Sequence, residues 1–143
     1  MDPQENKRVI HRLYREVFAE WNLAVIEELI SADFLGHGMP AGTPRGPEGI
    51  RQFYARMRAA FPDLWYWVED MVAESDKVAV RWRWEGTHDG VFRDIPPTGK
   101  RVSLTGIVIY RLDGGKVVER WVEVGMENLL RQLRGESAGA GTK

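Results

Sequence analysis

The chain has 143 residues, which fits one domain with one sizeable core. Charged residues make up 29% and hydrophobic ones 43%, as in an ordinary globular protein, and a net charge of −1 argues against nucleic acid as a partner. The lack of cysteine excludes disulfides, thiolate metal sites and a cysteine nucleophile, and no apolar run is long enough to span a bilayer. The first residues, MDPQENKRVIHRLY, are charged from the start and do not read as a signal peptide, so the expected setting is the cytoplasm.

Ile10, Leu13, Tyr14, Val17, Phe18 and Trp21 recur at helical spacing and predict a helix from about Pro3 to Glu20, with Asp2 as N-cap and Pro3 in its first position. Asn22 breaks it, and a short second helix carries Val25, Ile26, Leu29 and Ile30 on one face. LGHGMPAGTPRGP holds four glycines and three prolines and predicts a loop. Pro47 opens a third helix with Ile50, Phe53, Tyr54 and Met57 as its buried stripe, ended by Phe61-Pro62-Asp63.

From there the period becomes two. Leu64 to Val72 predicts a strand, and Val78, Val80, Trp82 and Trp84 alternate with Ala79, Arg81 and Arg83 in the next. THDGVFRDIPPTGK reads as a loop or irregular connection. Val102 to Leu112 is a long strand, Asp113-Gly114-Gly115 a hairpin turn, and Val117 to Val124 the returning strand. Asn128 to Arg134 is a short amphipathic helix, and the small, polar tail GESAGAGTK is expected to be disordered. Helices followed by strands mean an α+β fold, one domain over 1–134 with 135–143 as tail. About four antiparallel strands curl over three helices and leave a cone-shaped pocket.

Several phrases resemble the SnoaL-like polyketide cyclase branch of the nuclear-transport-factor-2-like superfamily. They are Asp33-Phe34 with His37, Arg45-Gly46-Pro47 leading to Phe61-Pro62-Asp63, and Gly86-Thr87-His88 followed by Ile95-Pro96-Pro97-Thr98-Gly99-Lys100. Gly115-Lys116-Val117-Val118-Glu119-Arg120-Trp121 and Leu129-Leu130-Arg131-Gln132-Leu133 complete the match. The resemblance implies an α+β cone, a homodimer formed through the sheet, and ring closure by intramolecular aldol condensation without metal or cofactor. In similar proteins an acid one place after E-x-W works opposite a histidine on the preceding strand. Here those positions are Val122 and Val108, and a second aspartate three places on becomes Gly125.

Valine cannot hold and release a proton. If Val122 faces the pocket, alternation turns Val118, Arg120 and Val124 inward, and Glu119, Trp121 and Glu123 outward; a β-bulge would turn Glu123 inward. Arg120 is then the electrophile-side candidate, for a substrate carboxylate or carbonyl, unless it is consumed in a salt bridge to Glu127 or Asp70. His37, placed by the pocket mouth, and His88 are candidate bases, and His88 could instead fix the IPPTGK loop. Tyr14, Trp82, Trp84, Val108, Tyr110 and Val122 are candidate ligand contacts, with Trp65 and Trp67 as further aromatic surface. Three histidines without a metal-binding spacing make no metal site, and Lys100 lacks a phosphate loop around it. Two functions follow: a cofactor-free cyclase-like, isomerase or hydrolase enzyme acting on an apolar cyclic or polyketide-like molecule, or a non-catalytic domain that binds such a molecule.

Overall fold

The computed structural model describes residues 2–136. Helix α1 (Pro3–Arg12) opens on a capping box: Asp2 accepts from the Glu5 amide and the Glu5 side chain accepts from the Asp2 amide. Its axis continues through a π-helical turn, Leu13–Ala19, which brings Leu13, Tyr14, Val17 and Phe18 inward. After a 3-10 turn (Leu23–Val25) come α2 (Ile26–Leu29), β1 (Ile30–His37) and α3 (Pro47–Ala60). Strands β2 (Trp65–Glu74), β3 (Lys77–Thr87), β4 (Arg101–Asp113) and β5 (Lys116–Val124) follow, and α4 (Met126–Arg134) ends on Gly135 in the left-handed region. Residues 137–143 of the expected tail lie outside the described residues.

The sheet runs β1-β5-β4-β3-β2, antiparallel except for β1, which pairs parallel with β5. The architecture is thus the expected α+β cone, helices on a curved, mainly antiparallel sheet. One strand corrects the sequence reading: Leu35, Gly36 and His37, expected in a loop, end β1. Their glycine and the nearby prolines mimic a loop, but β5 supplies a ready ladder and Phe34 anchors the segment in the core. Among the described residues no peptide bond is cis, Pro96 and Pro97 included. No helix among them is long and apolar enough to cross a membrane.

Two bulges set which side chains face inward. In β5 the pairing steps from Arg111↔Glu119 to Leu112↔Val117, so Val118 is the extra residue. It drops out of the alternation, and Val117 and Arg120 are both buried although three apart. Beyond it the expected parity holds: Trp121 and Glu123 are exposed, and Arg120 faces the helices. In β4 and β3 the alternation is unbroken, with Gly106 directly opposite Trp82. A Cβ at Gly106 would strike the Trp82 indole, so this glycine lets the ring lie flat over the sheet.

Candidate functional site

The concave face of the sheet and α3 enclose a cavity of about 380 Å³, within the range of small-molecule sites. Helix α3 contributes Phe53, Tyr54 and Met57; β2 and β3 contribute Tyr66, Trp82 and Trp84; β4 and β5 contribute Leu104, Val108, Arg120, Val122 and Val124. Exposed Pro40, Arg56, Val91 and Arg93 stand at its mouth. No histidine, aspartate or glutamate lines it.

Arg120 is the polar centre. It is 2% exposed, and Nη1 donates to the Tyr54 hydroxyl at 2.8 Å. Its guanidinium stands 5.6 Å from the Tyr54 ring centroid and 5.9 Å from that of Phe53, within cation–π range. Neither expected salt bridge forms: Glu127 pairs with Arg131 at 3.6 Å, and the Asp70 carboxylate accepts from the Met71 amide. Among the described residues Arg120 has no carboxylate partner at all. Burial works against its charge, the phenol oxygens of Tyr54 and Tyr110 work for it, and the net direction is upward, so it stays a cation. Burial raises the Tyr14, Tyr66 and Tyr110 phenols above their ordinary values, which keeps all three neutral. The cavity therefore carries one buried positive charge set among neutral hydroxyls.

Val108 and Val122 are direct partners across β4 and β5, and both line the cavity. Polar residues at these two positions would meet each other and face a ligand; here both are apolar. Trp82 and Trp84 also line the cavity, whereas Trp65 and Trp67, 38% and 37% exposed, lie on the outer face. The four tryptophans thus split into two pairs, because Trp65 and Trp67 pair with Glu85 and Arg83, the outward residues of β3. Tyr14 and Tyr110 sit behind the lining, joined hydroxyl to hydroxyl at 2.7 Å, and Tyr110 lies opposite Arg120 in the ladder.

The two histidines lie elsewhere. His37 pairs in register with Trp121 and shares its outer face, where its ring stacks on the indole at 5.2 Å and Nε2 lies 2.7 Å from the Glu119 carboxylate. That corrects its expected place by the pocket mouth. His37 first, and Arg111 second, hold the Glu119 carboxyl below its ordinary value. His88 is fully buried beneath the IPPTGK loop. Its amide donates to the Lys100 carbonyl, its carbonyl accepts from Gly99, and Nδ1 accepts from the Thr98 amide at 3.2 Å. Among the described residues no three His, Asp or Glu side chains cluster as a metal would need.

Tyr54 and Tyr66 were not singled out as site residues from the sequence. Tyr54 read as part of the α3 core stripe, which it is, and its contact with Arg120 spans 66 positions. Tyr66 stands between the two outward tryptophans of β2, and that alternation alone could have marked it as inward.

A helix-covered curved sheet thus closes on an apolar cavity with one buried cation in its wall. The chain belongs to the SnoaL-like polyketide cyclase family, whose model matches residues 8–133. Among solved structures it is similar to IdmH of Streptomyces antibioticus, a proposed polyketide cyclase, with 34% identity, 90% of this chain and 98% of that chain covered, and a TM-score of 0.79. AclR of Streptomyces galilaeus, a proposed hydroxylase, is 30% identical over 92% of this chain and 82% of that one, with a TM-score of 0.80. A proposed SnoaL-like polyketide cyclase from Jannaschia sp. CCS1 is 26% identical over 94% and 95%, with a TM-score of 0.81. No curated protein sequence matches the chain.

Proposed function

We propose that the protein binds an apolar, cyclic or polyketide-like molecule and stabilises an anionic oxygen on it. The observation that carries this reading is Arg120, a guanidinium 2% exposed on a cavity wall without a carboxylate partner. An isolated charge removed from water costs several kcal/mol, and a ligand oxyanion would offset that cost. The apolar walls and the indoles of Trp82 and Trp84 suit a flat ring system. With valines at 108 and 122 and no histidine or carboxylate in the lining, the cavity has no side-chain general base. Binding is then the core activity. Any turnover is cofactor-free and works by positioning the bound ketone and holding on Arg120 the enolate left when solvent water takes its α-proton.

A cyclisation assay with a poly-β-ketone ester tests this. Wild-type turnover, where present, is expected to be unchanged in His37→Ala, His88→Ala and Glu123→Gln, and lost in Arg120→Met. Turnover that survives Arg120→Met, or that depends on Glu123 or His37, would overturn the reading.

The outer face supports a second copy of the chain as partner. Val72, Ala79, Ile109, Trp121 and His37 form a row across all five strands, and Val72, Ile109 and Trp121 are 60%, 41% and 37% exposed. Glutamates and arginines such as Glu69, Arg81, Arg83 and Glu123 flank this stripe with both signs, which suits a self-complementary contact. In sedimentation the wild type is expected to run as a dimer and Ile109→Lys as a monomer. A monomeric wild type removes this part of the proposal.

A further inference from the structure

Most of the arginines are spent on the protein itself. Arg12, Arg51, Arg83, Arg101 and Arg111 form ion pairs, and Arg45 and Arg58 donate to backbone carbonyls. Arg56 and Arg93 do neither among the described residues, and both are exposed in the lining of the cavity, at its mouth. With Arg120 they are the charged residues of that lining, in a chain whose net charge is −1. The cavity is thus positive from its wall to its entrance, with no carboxylate in the lining to balance it.

Each of the two is held there by its own element. On α3, Arg56 stands three residues after Phe53 and three before Ala59, and that spacing puts all three on the face that lines the cavity. Arg93 sits at the tip of a two-residue hairpin. Phe92 and Ile95 exchange backbone hydrogen bonds of 3.0 and 2.8 Å, and Arg93 and Asp94 between them have φ of 48° and 64°. Glycine or asparagine is the usual choice at such left-handed positions, and a larger side chain there costs backbone energy of a kind that ligand-binding segments often carry. The Asp89 and Gly90 amides both donate to the Ala60 carbonyl at the end of α3, which ties this hairpin to the helix that carries Arg56. The Arg93 guanidinium lies 5.8 Å from the ring centroid of Phe92, itself part of the lining. Asp94, next in the hairpin, is not part of the lining.

Building on the pocket reading above, we propose that Arg56 and Arg93 make the mouth an anion-recognising entrance, so the ligand is amphipathic, with a flat apolar body inside and a carboxylate or phosphate at the entrance. The two arginines need not reach one oxygen: positive charges at a cleft with apolar walls together raise the local concentration of an anion. Exposed charges of this kind act mainly on the rate of association and are screened by salt, unlike a buried contact.

The probes are 6-hydroxy-2-naphthoate and 3-(6-hydroxy-2-naphthyl)propanoate, each titrated beside its methyl ester, so that tail charge and tail length vary on one ring system. At least one acid is expected to bind about three- to tenfold more tightly than its ester at low ionic strength, the worth of one or two exposed ion pairs. That preference should shrink in about 1 M salt, where screening reaches only a few ångströms. The double variant Arg56→Gln, Arg93→Gln is expected to lose the preference, and because both side chains are exposed it should unfold like the wild type. In Arg120→Met acid and ester are expected to weaken together, with the preference kept. A preference lost in Arg120→Met but kept in the double variant would put the tail on Arg120 and overturn the entrance, with the pocket reading intact. Equal binding of acid and ester at both tail lengths would overturn the entrance as well. The monophosphate of 2,6-dihydroxynaphthalene separates the two anions: tighter binding than either acid assigns the entrance to a phosphate, and weaker binding to a carboxylate. Failure of every probe to bind would overturn the pocket reading and the entrance with it.

Discussion

Arg120→Met is expected to make the protein more stable and less able to bind. The guanidinium is 2% exposed and faces no carboxylate among the described residues, so only neutral phenols offset the cost of burying its charge. Replacing buried charges with apolar side chains of similar length is often stabilising by about 1–4 kcal/mol. Losing the hydrogen bond to Tyr54 returns about 1 kcal/mol of that. Urea unfolding should therefore show a gain of about 0–3 kcal/mol. Affinity for an oxyanion-bearing ligand should fall by about 2–5 kcal/mol, the usual loss when one partner of a buried charge contact is removed. A variant less stable than wild type would mean that the phenols around Arg120 already satisfy its charge, and that the cation is not held in reserve for a ligand.

Phe61→Ala is expected to be a severely damaging change in the core behind the cavity wall, costing about 3–5 kcal/mol as large-to-small aromatic replacements in cores do. Phe61 is fully buried, and its ring centroid lies 4.9 Å from Trp84, 5.4 Å from Phe92 and 5.5 Å from His88. It thus ties the end of α3 to the cavity wall and to the strand end from which the IPPTGK loop departs. Trp84 and Phe92 both line the cavity, so losing the ring should loosen the mouth and weaken ligand binding together with the fold. Thermal unfolding and ligand titration on the same samples check both effects. A stability loss under about 1 kcal/mol would show that the surrounding rings collapse into the space and that Phe61 does not brace the wall.

Much of this was legible in the residues. The N-cap at Asp2, the helical stripe of α3 and the period-two runs of β3 and β4 are local patterns, and the structure has all of them where they were expected. The outward turn of Glu123 followed from alternation. Strand β1 was missed because its pairing partner, β5, lies more than 80 positions away, while its own Gly36 and the prolines behind it carry a loop signal. His37 was misplaced for the same reason, since its face is set by Trp121 across the parallel ladder.

By itself the sequence determined the α+β cone and the parity of β5 beyond Arg120. These rest on spacing along one segment, and side-chain direction along a helix or strand repeats with a fixed period. Only the tertiary structure decided that Arg120 has no carboxylate partner among the described residues, that it donates to Tyr54, and that Tyr66 lines the same cavity. Each of these depends on which distant segments share a wall, and on a bulge at Val118 that shifts one strand by a residue. Hydrogen bonding and desolvation act over a few ångströms in space, whatever the separation along the chain.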